Sequence, residues 1–133
     1  MESNEQKDLA ELAQKTIEQL KAMPQPIVRV CGPLTTGGLG YEENARRLTK
    51  SEEVLSAKGY TVFRFGDAEA SIQDKGYSHE NIMNIFHGPV LQSGLIAQAF
   101  FLPHWEQSKG AMIERELCAH YNIEIKEFPE DWF

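Results

Sequence analysis

Four residue types that bind or transfer groups cluster at the end of Leu102-Pro103-His104-Trp105-Glu106-Gln107-Ser108-Lys109-Gly110-Ala111-Met112-Ile113-Glu114. A hydroxyl (Ser108), an ammonium (Lys109) and a glycine (Gly110) precede a carboxylate (Glu114). An apolar run precedes the segment and a helical pattern follows it, so it reads as strand, polar turn, helix. Free N–H groups at a helix start bind anions. Ser108 is expected either to cap the helix or, with Lys109 and Gly110, to grip a phosphate or carboxylate; the two roles are compatible. Helical side chains lean toward the N-terminus. Beneath Glu114 lie only Gly110 and Ala111, so its carboxylate is expected to face the open mouth of the helix. The helix dipole there favours the charged form by about 0.3–1 kcal/mol. An ionised, uncrowded carboxylate is what nucleophilic catalysis requires. The plain alternative is a solvated glutamate, as Glu116 is expected to be. His104 and Trp105 directly follow the apolar run. The tryptophan is expected to stack on a base or to pack in the core.

A second candidate is the run Gly32-Pro33-Leu34-Thr35-Thr36-Gly37-Gly38-Leu39-Gly40. Its backbone N–H groups can wrap a phosphate or sugar, with Gly32, Leu34, Thr35, Gly37 and Gly38 as donors and Pro33, which has no N–H, as a further contact. It matches neither the dinucleotide fingerprint nor the Walker A pattern, and an ordinary turn is the competing reading. The four histidines show no metal-ligand spacing. Cys31 and Cys118 follow no redox or metal pattern either. No metal and no cofactor are expected.

The elements that must position these residues follow from periodicity. Asn4 to Ala22 carries Leu9, Leu12, Ala13, Thr16, Ile17 and Leu20 at helical spacing. The prolines of Met23-Pro24-Gln25-Pro26 end that helix. Residues 1–25 therefore read as a helix and linker that pack on the domain or on a partner subunit, and residues 26–133 as the domain. Strands are expected at Ile27–Cys31, Tyr60–Phe65, Leu95–Leu102 and Ile123–Phe128. Helices are expected at Tyr41–Lys58 and Gly110–Tyr121, with two short helical pieces at His79–Phe86 and Pro89–Gly94. Residues 66–78 read as a long loop, a kind of segment that is often functional. The alternation predicts an α/β fold: a three-layer, doubly wound parallel sheet of about four to five strands, flavodoxin- or Rossmann-like, with an extra N-terminal helix. Ligands in such sheets bind outside the carboxyl ends of the strands. The glycine run and the Pro103–Lys109 turn should meet there.

Composition excludes several classes. The net charge of −7 over 133 residues offers no basic patch for nucleic acid. No apolar run reaches the roughly 18 residues of a membrane span. The polar, charged N-terminus does not read as a signal peptide. Two unpaired cysteines then point to the cytoplasm.

Taken together, these residues resemble the nucleoside 2-deoxyribosyltransferase-like family and its deoxynucleoside-monophosphate N-glycosidase branch. An uncharacterised bacterial and phage branch is closer still. The likeness runs from about Ile27 to Phe128 and rests on two signatures, Val30-Cys31-Gly32-Pro33-Leu34-Thr35-Thr36-Gly37-Gly38 and Leu102-Pro103-x-Trp105-x-x-Ser108-x-Gly110-Ala111-x-x-Glu114. The resemblance implies that Glu114 attacks the sugar C1′ and displaces the base. Water or a second base then attacks the glycosyl ester, as in retaining glycosidases. It also implies that Ser108 holds a 5′-phosphate, and that the active unit is a homodimer or larger. The chain departs from the pattern at three places. The aspartate that assists the leaving base falls at Val90. Gln98 stands at a strand position that is often aspartate, and Thr35-Thr36 replaces an arginine. His87, Glu80 or Asp67 would then be the substitute acid, with Glu69, Asp74 and His79 as further candidates. Three readings follow: an N-glycosidic enzyme, a nucleotide or nucleotide-sugar binding module with turnover reduced, and a structural subunit that uses its N-terminal helix as an interaction surface.

Overall fold

The computed structural model describes residues 3–33, 39–64 and 76–133. Helix α1 (Asn4–Lys21) opens the chain. Its cap is reciprocal: Ser3 Oγ accepts the Gln6 N–H at 3.1 Å, and the Ser3 N–H donates to Gln6 Oε1 at 2.9 Å. Strand β1 (Ile27–Cys31) is buried along its whole length. Helix α2 (Tyr41–Ala57) and the short strand β2 (Thr61–Phe63) follow. A nearly continuous helical segment comes next: α3 (His79–Asn81), a π-helical stretch (Ile82–His87) and α4 (Gly88–Gln92). Strand β3 (Ile96–Phe101) leads through a 3₁₀ turn (Trp105–Gln107) to α5 (Lys109–His120) and strand β4 (Glu124–Glu127). A final 3₁₀ turn (Glu130–Trp132) ends in Phe133.

The sheet is entirely parallel, in the order β2-β1-β3-β4. The expected doubly wound α/β class is therefore the observed one, with four strands. Along β1, side chains alternate between two cores. Val28 and Val30 join Leu48 and Leu55 of α2, together with Phe100 and Phe128. Ile27 and Cys31 face the other way, onto Leu9 and Leu20 of α1, Phe86, Val90 and Cys118. The chain winds to one side of β1 through α2 and then returns to the other side. This puts a reversal of strand order between β1 and β3, where crevices form at the carboxyl ends.

Two local features shape that crevice. Gly32 allows β1 and β3 to close on each other: a Cβ there would lie 2.9 Å from Leu102 Cβ. The Leu102 N–H donates to the Cys31 carbonyl at 2.9 Å across the same junction. The π-helical stretch has a local cause in Pro89, which has no N–H and would clash with the carbonyl four residues back. The Gly88 N–H accordingly reaches back five residues to the Met83 carbonyl. The two helical pieces expected from the sequence are thus one segment with a bulge.

Helix α1 is part of this domain. Its Leu9 and Leu20 are fully buried. Glu5 accepts the Ser78 N–H at 3.0 Å and a hydrogen bond from the Asn81 side chain, while Tyr77 donates to Asp8 at 3.0 Å. No helix among the described residues is long and apolar enough to cross a membrane.

Candidate functional site

Helix α5 presents Glu114 to the sheet, and β1 answers with an arginine. Glu114 Oε2 lies 3.1 Å from Arg29 Nη2, with side-chain exposures of 11% and 2%. The carboxylate was expected to be uncrowded. Gly110 and Ala111 do leave the positions behind it without bulk, but the sheet supplies Arg29 to fill the space. Among the described residues no directed hydrogen bond reaches Oε2, so the contact with Arg29 is chiefly one of charge.

The π-helical stretch brings a third group to the same place. Arg29 Nη2 lies 3.0 Å from Nδ1 of the buried His87. A guanidinium can only donate, so Nδ1 accepts and the ring proton sits on Nε2. Of the three residues named as substitute acids, His87 is thus joined to Glu114 through Arg29. Glu80 is exposed at the start of α3 and makes no hydrogen bond or ion pair among the described residues. Asp67 lies outside the described residues, as do Leu34, Thr35, Gly37, Gly38, Glu69 and Asp74, and the side chain of His79 is not described. Val90, where the acidic companion was sought, is wholly buried among apolar groups.

Two thiols complete the cluster. Burial pushes the Cys31 thiol well above the ordinary range, and the neighbouring Glu114 carboxylate raises it further against the opposing pull of Arg29. Cys118 is pushed up to about 11, again mainly by burial. Both thiols stay protonated at neutral pH and are poor nucleophiles. Burial works against the charge on Arg29, but Glu114, Cys31 and Cys118 together hold its pKa above the ordinary value.

The turn before α5 resolves residue by residue. Ser108 is buried and caps the helix, its Oγ accepting the Ala111 N–H at 3.2 Å. Lys109 is exposed beside it, and Gly110 occupies the first turn. His104 is exposed and left-handed, at φ 72°. Trp105 is occupied by the protein's own side chains. Its ring meets Phe101 edge to face at 5.9 Å, and the Arg115 guanidinium lies 4.2 Å from its centroid. Arg115 is fixed in turn by Glu127 at 2.7 Å. Gly32 and Pro33 sit at the strand end, where Gly32 serves close packing.

On the α2 side of the same strand ends lies a small cleft that opens to solvent. Pro33, Leu102 and Pro103 line it with Asn44, Arg47 and His104. Among the described residues, no three His, Cys, Asp or Glu side chains group to hold a metal ion.

Comparison with known families places this arrangement. The model of a domain of unknown function, DUF4406, matches residues 27–127. The chain belongs to the DUF4406 family. The matched span begins at β1 and ends with β4, so it contains Arg29, His87 and Glu114, while α1 precedes it. No curated protein and no solved structure matches the chain.

Sequence reasoning missed Arg29, the centre of this DUF4406 site. The signal was present: one arginine stands inside Ile-Val-Arg-Val-Cys, a strand too apolar to be half-solvated. A charge in such a strand must find a buried counter-charge, and Glu114 is that partner.

Proposed function

We propose that this DUF4406 domain cleaves or exchanges the N-glycosidic bond of a nucleoside or nucleoside 5′-monophosphate, with Glu114 as nucleophile. The observation that carries this reading is the position of Glu114. It sits midway along α5 with its carboxylate against Arg29 and Cys31 of β1, and that buried guanidinium holds it in place. The similarity of the two loop signatures to nucleoside 2-deoxyribosyltransferase-like proteins supports the same reading.

The carboxylate attacks C1′, and the base leaves with the bonding electron pair and takes up a proton. Water or a second base then attacks C1′ and releases Glu114 as the carboxylate. Arg29 fixes the carboxylate before attack. Ester formation would remove the negative charge that faces Arg29, so the pair also favours return to the free carboxylate. His87, which contacts Arg29, is the proton carrier on this reading. On this reading the working unit is a cytoplasmic homodimer or larger assembly that needs no cofactor.

The same ion pair favours a second reading. A carboxylate already matched to a buried guanidinium is a weaker nucleophile, which suits a nucleotide or nucleotide-sugar binding module. One experiment separates the two. The protein is incubated with a panel of nucleosides and 5′-monophosphates, with and without an acceptor base, and free base is measured by chromatography. The enzyme reading expects release that falls to the uncatalysed background in both Glu114→Ala and Glu114→Gln, with the second variant preserving side-chain volume. Calorimetric binding without release, even at high protein concentration, would leave the binding module. Absence of binding would end both readings.

A further inference from the structure

The cleft on the α2 side is not lined by Glu114, Ser108 or Lys109 among the described residues, yet it has the chemistry of an anion site. Arg47 contributes a half-buried guanidinium to its wall. Among the described residues Arg47 makes no ion pair and no side-chain hydrogen bond. The adjacent Arg46 takes up Glu43, with Nε 2.8 Å from the carboxylate, and Arg47 feels that carboxylate only at longer range. The Arg47 guanidinium is held over the Phe133 ring, 4.4 Å from its centroid. Stacking of this kind orients the planar group while its N–H donors stay directed outward. His104 adds a ring from the opposite loop, where the backbone turns left-handed. Pro33, Leu39, Leu102 and Pro103 contribute no side-chain polar atom, so much of the wall beside the Arg47 guanidinium is apolar, with Asn44 as a further polar side chain. An anion held there meets a low-dielectric surface, on which charge contacts strengthen.

We propose that this cleft binds the phosphate or carboxylate group of a small molecule, with Arg47 as the bidentate donor and His104 as the second contact. The site lies at the reversal of strand order, where doubly wound sheets take their ligands. The assignment rests on the proposed function only for the identity of the molecule that carries the anion. The anionic group itself is recognised by Arg47.

The test reads binding and not turnover, so its failure is distinct from failure of the glycosidic reading. Inorganic phosphate and sodium acetate are titrated separately into the protein at low ionic strength. The Arg47 Nε–Hε and His104 ring resonances are followed by NMR. Saturable shifts of both signals with one of the anions are expected, and the anion that acts identifies the class. A charge-assisted bidentate contact of this kind is worth at least ~10-fold in affinity. Arg47→Ala should lose that factor, Arg47→Lys should recover part of it, and Phe133→Ala should weaken binding by a smaller factor. His104→Asn tolerates the left-handed backbone and should also weaken binding. Absence of shifts at Arg47 with both anions overturns the proposal. So does phosphate affinity that survives in Arg47→Ala but vanishes in Ser108→Ala.

Discussion

Arg29 and Glu114 illustrate the energetics of a buried pair. Each charge is expensive to bury, and their mutual attraction repays that expense only while both are present. Arg29→Met should therefore cost about 3–5 kcal/mol, because it strands the Glu114 carboxylate. The double variant Arg29→Met/Glu114→Gln should recover most of that loss. Urea unfolding of the wild type, both single variants and the double variant measures the coupling directly. Additive losses would show that the two side chains merely lie close. The residue scale was also where the sequence was least legible. Glu114 stood out because it follows a polar turn at a helix start. Arg29 did not, because its partner is remote in sequence, and only the parallel pairing of β1 with β3 brings α5 over it.

Elements were easier to read. The apolar run of β1, the amphipathic pattern of α2 and the Ser-Lys-Gly start of α5 each specify local structure with little help from the rest of the chain. The expected and observed bounds of these elements differ by a residue or so. The segment from His79 to Gln92 was harder, because Gly88-Pro89 has the composition of a break. Packing on α1 and α5 keeps it helical, and the π-helical stretch absorbs the missing donor. That bulge also turns His87 inward to Arg29, which periodicity of 3.6 would not indicate. Helix α5 carries the sharpest prediction at this scale. Ser108→Ala removes its cap and should cost about 1 kcal/mol, whereas Ser108→Asp should retain most of the stability. The comparison is made by thermal or urea unfolding. A neutral Ser108→Ala would free Ser108 from a capping role and leave anion binding as its only assigned task.

At the scale of the whole molecule, α1 is the element whose standing changed most. Its apolar stripe left open whether it covers its own domain or a neighbouring subunit. Leu9, Ala13 and Leu20 enter the core beside Phe86 and Leu91, and Glu5 ties its first turn to Ser78 and Asn81. Leu9→Ala should therefore destabilise the folded chain by about 2–5 kcal/mol. The loss should be the same at high and low protein concentration, which unfolding at two concentrations checks. A concentration-dependent loss would instead place the stripe at a subunit interface.

The margins of the sheet have a consequence for how copies of this chain can meet. A bare strand edge invites another strand to add to it, the usual opening step of uncontrolled aggregation. Among the described residues β2 offers only Thr61–Phe63, and β4 reads Glu-Ile-Lys-Glu, with Glu124 and Glu127 exposed. A second β4 laid alongside would bring carboxylates together, at an energetic penalty that grows as salt is removed. Edge-to-edge growth of the sheet is therefore discouraged along β4, which favours contacts between copies through helices and loops over added strands.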